Sequence, residues 1–116
     1  MLFNITRSTV LAQGLRIADT FHKRFRGLML QKEHSQGEAL LIVPCKSVHM
    51  FFMRFSLDVV FVDAQWRVVG LEENLCPWKV SRMYPRAHMA IELPAGTLKN
   101  TGTQLGDTLA LTPSDV

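Results

Sequence analysis

Four ionisable side chains in the 116-residue chain are of types that could do chemistry together: His49, Arg54, Asp58 and Glu92. A carboxylate such as Asp58 or Glu92 could act as a general base. Arg54 and His49 would then hold developing negative charge, as a small hydrolase or lyase requires. Asp58 heads the row Leu57 to Val62, in which every other residue is apolar, and a carboxylate in that company needs a partner. Arg54, four residues earlier across a turn, could supply a charge-assisted hydrogen bond, and free N–H groups of the turn could do the same. Either would make Asp58 a structural clamp, and this reading is favoured over a catalytic one because buried carboxylates are usually satisfied structurally. His49 shares a row with Phe51 and Met53, which suits a hydrogen-bonded core or rim residue better than a ligand.

A second group lies in the aperiodic stretch from Glu72 to Arg86, where Trp78, Lys79, Arg82, Tyr84 and Arg86 mix cations with aromatic rings. Such a loop could stack on bases or sugars, or meet an acidic protein segment. The plainer alternative pins the loop to the domain through Trp78 and Tyr84 and leaves its cations solvated. Metal chemistry is poorly supplied. On one strand Cys45 and His49 would stand roughly 13 Å apart, and adding Cys76 and His88 creates no closely spaced ligand pair. No Gly-x-Ser-x-Gly elbow and no glycine-rich phosphate loop occurs, so neither a covalent nucleophile nor a cofactor is expected.

The elements that would position these residues are mostly strands. Val48 to Met53 and Leu57 to Asp63 read as two strands of a hairpin, the first with Val48, Met50 and Phe52 on one face. Further strands are expected at Leu2 to Thr6, Val10 to Ile17, Ala39 to Val43, Arg67 to Leu71, Ala87 to Leu93 and Thr108 to Thr112. Asp63-Ala64-Gln65-Trp66 forms the turn into the strand starting at Arg67. Phe21, Phe25, Leu28 and Met29 make one apolar stripe, so a short helix follows Asp19, with His22, Lys23, Arg24 and Arg26 on its solvated side. The fold class expected is mainly β (α+β): a small antiparallel barrel or strongly curved sheet carrying one short N-terminal helix.

Composition sets the outer bounds. A hydrophobic share of 47% fills one core, so residues 1–116 are expected to form a single domain. No apolar run approaches the roughly 18 residues of a membrane span, and Arg7, Arg16 and Asp19 interrupt any signal-peptide core, which makes the cytoplasm the expected compartment. The net charge of +3 is spread along the chain, a weak pointer to an anionic partner. Cys45 and Cys76 are expected as reduced thiols.

The order of motifs resembles one family. Arg26-Gly27-Leu28-Met29, His49-x-Phe51-x-Met53-Arg54-x-x-Leu57-Asp58-Val59-x-Phe61-Val62-Asp63, Glu92-Leu93-Pro94-Ala95-Gly96 and Gly106-Asp107 together are similar to the bacterial and archaeal domain of unknown function 192. The resemblance spans nearly the whole chain. It implies a compact, mostly β domain with a helix near its start, and no established activity, cofactor or substrate. Many members carry Trp-Met-Lys-Asn-Thr where this chain has Phe52-Met53-Arg54-Phe55-Ser56. The turn after Asp63 commonly has Gly where Trp66 stands, so a different or longer turn is expected here, since Trp is strained at positive φ.

The expected function is accordingly a small non-catalytic binding or interaction module, its ligand a small anion or an acidic partner segment. Its open end would be formed by the hairpin from His49 to Asp58 and the loop from Cys76 to Arg86. The carboxylate-based hydrolase or lyase is the alternative, and single-stranded nucleic acid binding through the Trp78 loop is the weakest of the three.

Overall fold

The computed structural model describes residues 1–18 and 37–113. Among the described residues eight strands and one short helix are formed: β1 (Leu2–Asn4), β2 (Thr9–Ala12), β3 (Gly14–Ala18), β4 (Glu38–Ile42), β5 (Leu57–Val62), β6 (Val68–Leu75), β7 (Met89–Pro94), α1 (Thr97–Thr101) and β8 (Leu109–Leu111). They build two sheets that do not close into a barrel, one ordered β2-β1-β8 and the other β3-β4-β7-β5-β6. All pairings are antiparallel except β3 with β4. That parallel pair needs a crossover connection. The helix expected after Asp19 falls in this connection and lies outside the described residues. The mainly β architecture matches the expectation from periodicity. Among the described residues no helix is long and apolar enough to cross a membrane.

β5 and β7 are central and apolar on both faces, and the five-stranded sheet accordingly carries a core on each side. One core sets Val60, Val62, Met89, Ile91 and Leu93 against Leu2, Leu11 and Leu109 of the small sheet and Leu98 of α1. The other covers Leu57, Val59, Phe61 and Ala90 with Val48, Met50 and Met53 from the segment after β4. Burying side chains of this size contributes about 1.5–3 kcal/mol each, so both faces are needed for a chain this small.

Three local expectations are corrected. Residues 48–53 are not a strand of the sheet: Phe52 takes φ +66°, the Met53 N–H bonds the Met50 carbonyl at 3.2 Å, and a turn results. The alternation therefore breaks, and Met53 rather than Phe52 follows Val48 and Met50 into the core. Val10 to Ile17 divides at Gln13, giving β2 in one sheet and β3 in the other. Trp66 does adopt a left-handed backbone, φ +64°, in the turn expected at Asp63 to Trp66. Asp63 makes this tolerable. Its Oδ1 accepts the N–H groups of Gln65 and Arg67 at 2.9 Å, and its carbonyl accepts that of Trp66 at 3.0 Å. Helix α1, after the Pro94-Ala95-Gly96 stop, was not visible in the periodicity.

Candidate functional site

Asp58 and Glu92 are both buried, at 1% and 0% exposure, but on opposite faces of the five-stranded sheet. Asp58 stands opposite Leu93, and Glu92 opposite Val59, so each carboxylate belongs to a different core. Both Asp58 oxygens are engaged. Oδ1 accepts the Asn74 N–H at 2.8 Å, while Oδ2 accepts those of Gly96 at 3.1 Å and Leu98 at 2.9 Å. Asp58 is thus a clamp joining β5 to the end of β6 and to the first turn of α1, and its donors are backbone groups rather than Arg54. Arg54 itself is exposed.

His49 lies where two irregular segments zip together. The Met50 N–H bonds the Lys79 carbonyl at 2.7 Å, the Trp78 N–H bonds the Met50 carbonyl at 2.7 Å, and His49 forms an isolated bridge with Val80. Ser81 completes the zip in both directions, its N–H on the Val48 carbonyl at 2.8 Å and its Oγ receiving the Val48 N–H at 2.9 Å. The junction of the hairpin region with the 76–86 loop, expected as the open end, is therefore formed through main-chain bonds.

Its outer surface is aromatic. His49 stacks on Phe51 with centroids 4.7 Å apart, Phe51 lies 6.2 Å from Trp78, and Phe52 meets Trp78 edge-on at 4.8 Å. Phe52 is 57% exposed and Trp78 58%, both at positive φ. Lys79 and Arg54, next to these rings in sequence, are exposed as well. The strand expected over Val48 to Met53 would place Phe52 with Val48 and Met50, whereas Phe51 and Phe52 are both exposed. The available signal was an excess of large apolar side chains just before Arg54-Phe55-Ser56, more than one short strand can bury.

The remaining loop residues serve elsewhere. Tyr84 lies over Gly70 and against Phe61, with ring centroids 4.4 Å apart. Its hydroxyl donates to Glu72 Oε2 at 2.8 Å, and the Arg82 N–H donates to the same oxygen at 3.0 Å. Burial, followed by the Glu72 hydrogen bond and charge, pushes the Tyr84 phenol up to about 12. Tyr84 and Arg86 also line a cleft of about 380 Å³ with Arg67 and Leu105, neither of which was singled out from the sequence. A third buried carboxylate, Asp107, accepts hydrogen bonds from Asn4, Arg7 and the Gln104 N–H at 2.9–3.0 Å. Burial raises its pKa, but Arg7, Asn4 and Gln104 more than offset this and hold it below the ordinary carboxylate value. No disulfide joins Cys45 and Cys76. Among the described residues no three His, Cys, Asp or Glu side chains converge on a metal-sized space.

A model of domain of unknown function 192, described as an uncharacterised ACR, matches residues 3–111. The UPF0127 protein of Thermococcus sibiricus is 38% identical over 112 residues, covering 92% of this chain and 71% of that relative. That of Pyrococcus horikoshii is 35% identical over 112 residues, covering 92% and 95%. Among solved structures, a protein of unknown function from Novosphingobium aromaticivorans superposes with a TM-score of 0.73 at 21% identity, covering 84% of this chain and 74% of that one.

Proposed function

We infer a binding role for this chain, which belongs to the domain of unknown function 192 family: it is a non-catalytic interaction module that docks an acidic protein segment on the His49, Phe51, Phe52 and Trp78 rings. The observation that carries this reading is the backbone cost of the surface. Among the described residues five that are not glycine have positive φ, and two of them, Phe52 and Trp78, are exposed rings touching each other. Each left-handed residue costs about 1–2 kcal/mol, and a ring left in water returns little of it through burial. Strain kept where folding does not need it is a mark of a working surface. Rings of this kind anchor partners, and the exposed Lys79 and Arg54, close to them in sequence, favour negative charge.

Against Asp58 as the base of the enzymatic alternative stands the engagement of both its oxygens by backbone N–H groups. A peptide array testing acidic segments, each with one aromatic or leucine anchor, against basic and anchorless counterparts is the direct experiment. Retention of the anchored acidic peptides by the wild type, and its loss in Trp78→Ala and Phe52→Ala, is expected. Equal retention by the variants, or a preference for single-stranded oligonucleotide, would overturn the reading.

A further inference from the structure

The cleft between the start of β6, the corner at Tyr84 to Arg86 and the turn at Leu105-Gly106 has the makings of a second, small-molecule site. We propose that it binds a small amphipathic anion, with a phosphate or carboxylate group held by Arg67 and Arg86 and an apolar body lying against Tyr84, Val69 and Leu105. At about 380 Å³ the cleft falls at the low end of the ~300–1,000 Å³ typical of ligand pockets, which suits a small ligand.

The charge balance around it points to an anion. Two arginines line one cleft, and among the described residues neither is ion-paired to a carboxylate. Three carboxylates of the surrounding segments have other hydrogen-bond partners. Asp63 accepts the Gln65 and Arg67 N–H groups, Glu72 the Tyr84 hydroxyl and the Arg82 N–H, and Asp107 the Asn4, Arg7 and Gln104 donors. Both arginines are thus open to an added anion, and the planar donor fork of arginine matches phosphate or carboxylate. The walls supply the apolar half, including Leu105, which is 65% exposed beside the cleft.

The site is also pre-formed. The Gly106 N–H bonds the Val68 carbonyl at 2.9 Å, and the Val68 N–H bonds the Asp107 carbonyl at 2.8 Å, which locks the Leu105 turn to β6. The Ala87 N–H bonds the Tyr84 carbonyl at 3.0 Å, and the Tyr84 ring is seated on Gly70. Little ordering remains to be done on binding.

Phenyl phosphate titrated into the full chain, followed through the backbone amides of Val69, Arg86 and Gly106 by NMR, tests the proposal. Phenylacetate, inorganic phosphate and benzyl alcohol form the comparison arms. A saturable shift with phenyl phosphate or phenylacetate is expected, at least tenfold tighter than with benzyl alcohol or inorganic phosphate, and the better of the two identifies the head group. The Arg67→Gln, Arg86→Gln double variant should lose at least tenfold in affinity, as should Leu105→Glu, which sets a negative charge at the rim and serves if the double variant misfolds. Trp78→Ala should leave the titration unchanged, since the ring surface is a separate site. The absence of a saturable shift up to about 10 mM, equal binding of benzyl alcohol, or full binding by folded Arg67→Gln, Arg86→Gln protein would overturn the assignment.

Discussion

Asp58 on β5 accepts the backbone N–H of Leu98 at 2.9 Å, so a carboxylate inside the sheet fixes the first turn of a helix forty positions further along the chain. The same oxygen takes the Gly96 N–H, and the other takes that of Asn74. In Asp58→Asn the amide nitrogen must replace one acceptor and confront one or two of these donors. Each buried donor left unmade costs about 1–3 kcal/mol, so a loss of roughly 2–4 kcal/mol in stability is expected. A lowered urea midpoint at unchanged m would record it. Peptide binding by the folded fraction should persist, because Asp58 lies inside the fold and the rings lie on its surface.

Gly70 and Tyr84 are an interdependent pair. A Cβ at Gly70 would come within 2.4 Å of the Tyr84 ring, while Gly70 itself has no left-handed φ that would resist substitution. Gly70→Ala is therefore expected to destabilise by displacing the ring, by about 1–3 kcal/mol as overpacking does. A double-mutant cycle with Tyr84→Ala checks the cause: the Gly70→Ala penalty should largely vanish once the ring is gone.

The phenol of Tyr84 gives a pH signature of the same contact. With the folded value pushed up to about 12, the unfolded chain ionises first near the ordinary value of about 10. The contribution of the contact is fully present below pH ~10 and declines as pH rises toward ~12. A spectrophotometric titration should show the single tyrosine of the chain ionising late, and Glu72→Gln should bring it back toward the ordinary value. Asp107 acts at the other end of the scale. Its pKa is depressed, so the stability it confers is present above the ordinary carboxylate value of 3.8 and is lost as pH falls below it. Asp107→Asn should flatten the acid limb of the stability profile.

The strands whose two faces differ little in polarity were legible because, Asp58 and Glu92 apart, every residue in them is apolar: β5 and β7 fill both cores and sit within a residue or two of the expected ranges. Asp58 was legible as a clamp for the same reason, as the polar exception in an apolar row. Its partners were not, since they are main-chain groups of residues 74, 96 and 98 brought in by topology. Strand order also decides that Asp58 and Glu92 face apart, and no local pattern encodes strand order. The ring surface escaped because Phe51 and Phe52 have the composition of a buried strand, and only the left-handed φ of Phe52 turns them outward. The Arg67 and Arg86 cleft escaped because its residues come from three segments that no sequence spacing relates.

Phe52 offers the sharpest contrast between stability and function. Its ring is 57% exposed and meets Trp78 edge-on, a contact worth about 0.5–1.5 kcal/mol. Its backbone, at φ +66°, costs about 1–2 kcal/mol that glycine would not incur. These terms nearly cancel. Phe52→Gly is thus expected to change stability by less than about 1 kcal/mol, whereas truncating the fully buried Phe61 to alanine should cost about 3–5 kcal/mol. Binding of acidic peptides should fall in the reverse order, lost at position 52 and retained by whatever fraction of Phe61→Ala still folds. Thermal melts and peptide titrations on the two variants make the comparison. A strong loss of stability in Phe52→Gly would mean that the ring is a packing residue after all, and the surface would then need no partner to account for it.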